Sequence, residues 1–348
     1  MTNLINKSLS AASAAAKMAI GALSYARSRS TPTYAYQSMI RLFTLTGGRS
    51  NDIISSWIAK FNPPYRLPST TGALGNLSPP EITRIAGGLR ERGFHVFDHR
   101  LAPETCRALL DFALTRPCLA RQTDNKPELR SSPQRYNRAN PTSIIFDFPA
   151  DDLINNATVQ SLMCDSSIIS IAQAYLGSRP VLDTVNLWWT TAYGTAPDSN
   201  AAQFYHFDMD HLKWIKFFVY LTDVTPQSGP HCFVAGSHRT DGIPNSLLHK
   251  GYARHTDEDV KAHYPADCLV EIPGPTGTIL AEDTRGLHKG KPVHIGDRLI
   301  FELEFSNCLF GGKGLSTARL RNFHSAQFKN AVRDYGRMYE RWNPVNRP

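Results

Sequence analysis

The chain has 348 residues, 41% hydrophobic and 20% charged, with a formal net charge of +8. That is enough apolar sequence to bury a substantial core in one large domain or two modest ones, and it reads as an ordinary soluble globular protein. The charge excess is local. Lys7, Lys17, Arg27, Arg29, Arg41 and Arg49 all precede the first acid, Asp52, so the rest of the chain carries only +2, which is no electrostatic footprint for DNA or RNA. Cys106, Cys118, Cys164, Cys232, Cys268 and Cys308 lie far apart with no CxxC pair. Such spacing fits free thiols in a reducing compartment, and a cytoplasmic location is expected. No apolar run approaches the length needed to span a bilayer.

In chain order, residues 1–62 read as a basic helical extension, Ala- and Ser-rich and weakly amphipathic through Leu4, Ile5, Leu9, Ala16, Ile20 and Leu23. Lys17 interrupts any secretory apolar region. Three uses remain open: a basic helix lying on an anionic membrane through residues 1–50, a transit peptide in a eukaryotic source, or a helical extension packed on its own domain. Residues 63–80, rich in Pro, Gly, Ser and Thr, read as a linker. The main domain is expected over 81–348. It starts with a helix ending near Arg92 and Gly93, a strand over 94–98, and a helix opened by Pro103 and Glu104. Residues 119–150 are polar and irregular, and a single helix over 157–177 is stopped by Gly177.

From residue 181 short β-branched and aromatic runs alternate with turns: VLDTVNLWWTTAY, AQFYHFDMD, WIKFFVYLTDV, HCFVAGS, CLVEIPG, TGTILAED, KPVHIG and RLIFELEF. This spacing predicts a β sandwich or barrel fronted by helices, with its core over 181–305. The polar, histidine-rich stretch 239–267 interrupts the strands and reads as a lid. In two strands one face is wholly apolar: Ile215, Phe217, Val219 and Leu221 in the first, Leu299, Phe301, Leu303 and Phe305 in the second. The opposite faces carry Lys216, Arg298, Glu302 and Glu304. Charge on the inner face of a barrel implies a wet cavity or a site.

The stretch HFDMDH, 206–211, reads as a strand whose alternation puts His206, Asp208 and Asp210 on one side and Phe207, Met209 and His211 on the other. An imidazole and a carboxylate two residues apart match half of a 2-His-1-carboxylate facial triad, which leaves the remaining metal positions open. The third ligand must come from a distant strand, and His288 in EDTRGLHKGKP is the candidate. Arg298, ten residues later, has the planar fork that grips a carboxylate with two charge-assisted hydrogen bonds.

The runs AQFYHFDMDHLKWIKFFVYLTDVTPQSGPHCFVAGSHR and GTILAEDTRGLHKGKPVHIGDRLIFELEF resemble the phytanoyl-CoA dioxygenase (PhyH) family of Fe(II)- and 2-oxoglutarate-dependent oxygenases. The likeness is clear over 181–305, weaker over 81–180 and absent from the first sixty residues. It implies a double-stranded β-helix, or jelly roll, with His206, Asp208 and His288 as iron ligands and Arg298 as anchor of 2-oxoglutarate, with oxygen as second cosubstrate. Related members halogenate when a small residue replaces the carboxylate ligand; Asp208 is present, so hydroxylation is expected. The C-terminus, RWNPVNRP, is no SKL-type peroxisomal signal, and an acyl-CoA substrate is not carried over.

Several assignments stay open at this level. His231, His238 and His294 compete with His288; His238 fits a turn or pocket rim, and His294 lies among turn residues. Arg298 either anchors the cosubstrate or pairs with Glu302 or Glu304, and Lys216 either contacts cosubstrate or substrate or pairs structurally. Gln203 and Tyr220 are either hydrogen-bond partners of 2-oxoglutarate or substrate, or ordinary strand residues. Asp210 would sit roughly 13 Å from His206 along an extended strand, too far to share its metal. Of Trp188 and Trp189 one belongs to the core and the other to a pocket wall. His249, His255 and His263 are expected in solvent. The expected activity is hydroxylation of an unactivated C–H of a small-molecule or lipid-like substrate with release of succinate and CO2. The rivals are a cupin-like binding protein without turnover and a zinc hydrolase.

Overall fold

The computed structural model describes residues 2–121, 132–194, 196–248, 250, 253–312 and 317–343. Three helices come first, α1 (Thr2–Ser28), α2 (Thr33–Thr46) and α3 (Arg49–Phe61), followed by a small hairpin of β1 (Thr71–Gly72) and β2 (Gly75–Asn76). Helix α4 (Pro79–Arg92) opens where Pro79 follows Ser78, whose backbone N–H donates to Glu81 at 2.8 Å, and it ends at Gly93 in the left-handed region at φ 86°. Then come β3 (Phe94–Val96), α5 (Pro103–Thr115), β4 (Pro117–Ala120), β5 (Gln134–Arg135) and β6 (Ile145–Asp147).

The single helix expected over 157–177 is divided. After the short α6 (Ala150–Ile154), α7 (Ala157–Met163) stops at Cys164, and α8 (Ser166–Leu176) starts because the Asp165 carboxylate accepts from the N–H groups of Ser167 and Ile168. Gly177, at φ 70°, stops α8 as expected.

The barrel strands are β7 (Val181–Thr191), β8 (Trp214–Tyr220), β9 (His231–Val234), β10 (Leu269–Ile272), β11 (Ile279–Glu282), β12 (His288–Gly290) and β13 (Asp297–Ser306). The short helices α9 (Asn245–Leu248) and α10 (Asp257–Lys261) lie between β9 and β10, and α11 (Ala326–Asp334) follows the last strand. One sheet has eight strands in the order β3-β11-β8-β13-β7-β6-β4-β5, the other three in the order β10-β9-β12, and all pairings are antiparallel. The two sheets face each other as a jelly roll. Among the described residues helices outnumber strand residues, because α1–α3 and the bracing helices are added to a β core.

Register explains the two-faced strands. Phe217 lies opposite Leu303 and Val219 opposite Phe301, so their side chains share the face that packs on Leu89, Leu109 and Ile169 of the bracing helices. The same register sets Lys216 opposite Glu304 and Phe218 opposite Glu302 on the inner face. Trp189 is fully buried in the helix-side core, while Trp188 packs edge-on against Phe218 inside the barrel.

The N-terminal helices pack on the domain itself. Phe43 of α2 stacks on Phe207 with ring centroids 5.6 Å apart, and Met39 and Leu42 join Met209 and Leu212 in one buried cluster. Asn51 donates to the Leu212 carbonyl at 3.0 Å, and Asp52 reaches Arg285 at 2.9 Å. The expected linker is likewise held down: Leu74 and Leu77 are buried, and the N–H groups of Ala73 and Leu74 donate to Asp165 and Ser167. Apolar residues spaced among Pro and Gly thus make this stretch a packed strap. No helix among the described residues is long and apolar enough to cross a membrane.

The loop between β11 and β12 is fixed by a buried ion pair. Arg285 Nη2 lies 2.6 Å from Asp283, whose other partners include the Tyr175 hydroxyl of α8. Burial opposes ionisation of Asp283, but the Arg285 guanidinium outweighs it and holds the carboxyl at about 2, below its ordinary 3.8. A carboxyl depressed in the folded state adds stability that is complete above its unfolded value and is lost as pH falls through the folded one. This group therefore contributes about 2 kcal/mol near neutral pH, lost between about pH 4 and pH 2. In acid denaturation, Asp283→Asn is expected to flatten that limb and to lower neutral stability by about 3–5 kcal/mol, since it strands Arg285 in the interior. An unchanged acid limb would contradict this role.

Candidate metal centre

The expected strand 206–211 is a strand only at its first residue. The backbones of His206 and His288 exchange two hydrogen bonds, 3.0 Å and 2.9 Å long, which add residue 206 to the edge of the β10-β9-β12 sheet. Beyond it the chain leaves the ladder, and the Asp208 N–H donates instead to the Thr284 carbonyl at 2.7 Å. The side chains still alternate. Phe207 and Met209 enter the cluster under α2, and Asp208 turns toward the two histidines.

There Nε2 of His206 is 3.6 Å from Asp208 Oδ1, and Nε2 of His288 is 3.5 Å from Oδ2. One donor atom from each of the three lies within 4.8 Å of the others. The Nδ1–H of His206 donates to the Phe204 carbonyl at 2.9 Å, and that of His288 to the Gly286 carbonyl at 3.0 Å. A carbonyl can only accept, so both rings carry their proton on Nδ1 and offer the lone pair of Nε2. Burial pushes the pKa of His206 well below its ordinary value, helped by His288, and burial likewise lowers that of His288. Both are neutral, as ligands must be. Asp208 is the reverse case: burial works against its charge, but the Lys216 ammonium beside it holds it far below the usual carboxylate range.

Lys216 is engaged by carboxylates, not by an open position. Its Nζ is 2.9 Å from Asp208 Oδ2, 3.3 Å from Asp210, 3.4 Å from Glu304 and 3.7 Å from Glu302. Asp210 serves this cluster. Gln203 accepts the Asp198 N–H on its side-chain oxygen at 2.9 Å, bracing the turn before His206. The Tyr220 hydroxyl donates to the Ile272 carbonyl at 2.8 Å and accepts the His231 N–H at 3.2 Å, so this hydroxyl is satisfied within the chain.

Arg298 is 4% exposed, and its one hydrogen bond is from Nη2 to Thr190 Oγ1 at 3.3 Å; Nε and Nη1 have no partner. It does not pair with Glu302 or Glu304, which belong to Lys216. Burial lowers its pKa, yet a guanidinium stays charged in proteins. An unmatched buried cation is costly, and a dicarboxylate end would satisfy it. The guanidinium lies against Gly290, where an added Cβ would be 3.1 Å from Nη2. Gly290 is two residues from His288 on β12, about 7 Å along a strand, a separation that a five-carbon dicarboxylate can bridge.

The competing histidines separate clearly. His294 is exposed, and His238 binds the Arg90 carbonyl at 3.1 Å on a cavity rim. His231 stacks on His288 with centroids 5.9 Å apart and lies 2.8 Å from Glu282, a buried neighbour pair for which the sequence held no signal. In the expected lid, His255 is fully buried, because its backbone pairs with Tyr205 beside the site; His263 is exposed, and His249 lies outside the described residues.

Fold and site together define a jelly-roll protein carrying two imidazoles and a carboxylate on one side of an open position, the ligand set of non-haem iron oxygenases. The family description Phytanoyl-CoA dioxygenase (PhyH) matches residues 89–297, well over half of the sequence, and the chain belongs to that family. Iron and 2-oxoglutarate are the cofactor and cosubstrate of that family, and the three convergent donors and the buried Arg298 guanidinium fit both. No curated protein matches. Among solved structures, EctD from S. alaskensis with bound Fe is 16% identical, covering 72% of this chain and 83% of that one at TM-score 0.47. HygX from Streptomyces hygroscopicus, with nickel and 2-oxoglutarate bound, is 14% identical over 73% and 94% at TM-score 0.47. AviO1 from Streptomyces viridochromogenes Tue57 is 17% identical over 66% and 96% at TM-score 0.43.

Gly290→Ala tests the space beside Arg298. A methyl there must push a flexible guanidinium aside by a few tenths of an ångström. The expected outcome is a severalfold rise in the 2-oxoglutarate concentration needed for half-saturation with thermal stability nearly unchanged, measured by titration and calorimetry. Equal 2-oxoglutarate affinity in the variant would contradict the placement.

Proposed function

We propose that the protein is an Fe(II)- and 2-oxoglutarate-dependent dioxygenase that hydroxylates an unactivated C–H bond of a small-molecule or lipid-like substrate, releasing succinate and CO2. The observation that carries this reading is the buried Arg298 fork with two unpartnered nitrogens, one strand from three convergent metal donors. A metal-binding protein without turnover has no need of such a cation, and a zinc hydrolase has none either.

In this reading His206, Asp208 and His288 hold the metal, and Arg298 grips the far carboxylate of 2-oxoglutarate. Bound iron supplies the oxygen-activating chemistry. The chain supplies position and exclusion of water. The carbonyls of Phe204 and Gly286 fix both imidazole rings, and Lys216 holds Asp208 ionised and in place. Ile300, Phe218 and Leu280 pack together as an apolar cluster inside the barrel.

Uncoupled conversion of 2-oxoglutarate to succinate, measured with Fe(II) and oxygen, tests the assignment. Wild type is expected to form succinate, and Arg298→Met to need on the order of a hundredfold more 2-oxoglutarate, the loss typical of one partner of a buried charge pair. Succinate at the level of a protein-free blank, or an unaffected Arg298→Met, would contradict it.

Peripheral contact with an anionic membrane belongs to the same proposal. Its support is that α1 exposes Leu9, Ile20 and Leu23 beside an excess of basic residues. Replacing these three by Ser is expected to reduce partition onto phosphatidylserine-containing vesicles severalfold; unchanged partition would remove this part of the reading.

A further inference from the structure

A cavity of about 320 Å³ lies apart from everything the proposed function uses, for neither the three metal donors nor Arg298 lines it. Its wall is built from α3, the last turn of α4, the end of α8, the residue before β8, the turn at 238–240 and Arg285. That wall is cationic: it presents Arg90, Lys213, Arg239 and Arg285 against a single acid, Asp52. Every wall residue, and each of its neighbours in sequence, is among the described residues.

The acid is already engaged. Asp52 Oδ1 accepts from Arg285 Nη1 at 2.9 Å, and its Oδ2 accepts the Thr240 hydroxyl at 2.6 Å. Arg285 is matched a second time by the fully buried Asp283, 2.6 Å from Nη2. Arg90 donates to the Ala174 carbonyl and Arg239 to the Gly236 carbonyl at 3.4 Å, but neither they nor Lys213 has a carboxylate partner among the described residues. Four cations against Asp52 and Asp283 leave the site at +2.

Exposed arginines alone would be satisfied by water, and two other groups on this wall are not exposed. Lys213 is half-buried with Nζ 4.6 Å from the centre of the Tyr175 ring, and it makes no hydrogen bond among the described residues. Burial, helped by the Arg285 guanidinium, lowers it from its ordinary 10.5 to about 8, as expected of an ammonium without an anion. Ser55 is 5% exposed and its Oγ has no partner, although a helical serine can bond back to the carbonyl one turn earlier. The helix-end carbonyls nearby are taken, Ala174 by Arg90 and Arg90 by His238. What the wall offers is therefore donors and positive charge.

A metal ion is excluded by that charge, and a single carboxylate would neutralise only half of it. A phosphoryl group carries about −1.5 to −2 at neutral pH and three strong acceptor oxygens, which suits both the charge and the number of free donors. We propose that this cavity binds a phosphoryl group, carried by a small phosphomonoester or by a phospholipid headgroup, through Lys213, Arg90, Arg239 and the Ser55 hydroxyl. The site is separate from the metal centre and does not rest on the oxygenase reading.

The test is calorimetric titration of the full-length protein, kept metal-free so that iron cannot take up the anion. Inorganic phosphate and glycerol 3-phosphate are the probes, with acetate and glycerol as controls. Both probes are expected to bind, to compete with each other, and to bind about tenfold more weakly in Lys213→Gln and in Arg239→Gln, the loss typical of one charge-assisted hydrogen bond. Neither substitution removes an internal ion pair, so thermal stability is expected to stay close to wild type. Probes that bind no better than acetate would overturn the proposal. So would full affinity in both variants, or binding that 2-oxoglutarate displaces, which would place the anion at Arg298 instead. Vesicles containing phosphatidic acid separate the two sources. Partition that glycerol 3-phosphate inhibits and Lys213→Gln weakens assigns the headgroup, whereas partition indifferent to both, with the soluble probes still bound, assigns the free phosphomonoester; either result upholds the site.

Discussion

Two backbone hydrogen bonds between His206 and His288 close this barrel, and the site depends on them. The residues are 82 positions apart in sequence, and pairing them edge to edge brings both imidazoles to one point with ring centroids 4.3 Å apart. Asp208 then needs only to turn inward, which it does because its own N–H is held by Thr284, four residues before His288. The ligands are thus placed by main chain, and their rings are aimed by main-chain carbonyls. Such a site is rigid before any metal arrives, which lowers the ordering cost of binding.

The loop 283–287 transmits this rigidity to the rest of the molecule. Its Asp283–Arg285 pair is tied to α8 through Tyr175 and to α3 through Asp52, and Thr284 accepts the Trp214 indole N–H at 2.8 Å. The N-terminal helices therefore support the three candidate metal donors from outside, by packing on Phe207 and Met209 and by anchoring Arg285. Inside the barrel, charge is arranged in sequence: a lone guanidinium at Arg298, the histidines with Asp208, then Lys216 and its carboxylates.

Much of this is legible in the residues themselves. The apolar and charged faces of the strands around Phe217 and Leu303 follow from period-two alternation, and they pack as that alternation requires. The HxD spacing and the distal His288 and Arg298 mark the site because the facial triad needs those residue types, and a strand pairing can join them. What the sequence hides is tertiary. The break at Asp165 depends on a side-chain cap that competes with continued helix, and the burial of His255 depends on pairing with Tyr205. The role of Lys216 depends on four carboxylates from two other segments. Residues 1–80 look detached in composition because their apolar positions are sparse, yet each of Phe43, Leu74 and Leu77 finds a buried partner surface.

The central claim is that the three convergent side chains bind iron in a form that accepts 2-oxoglutarate. The most direct measurement is anaerobic titration of the apo-protein with Fe(II) and 2-oxoglutarate, following the visible metal-to-ligand charge-transfer band, with Asp208→Ala as comparison. The account predicts a saturable band in the wild type, strongly diminished in the variant. Iron bound without any band, or a band of equal strength in Asp208→Ala, would contradict it.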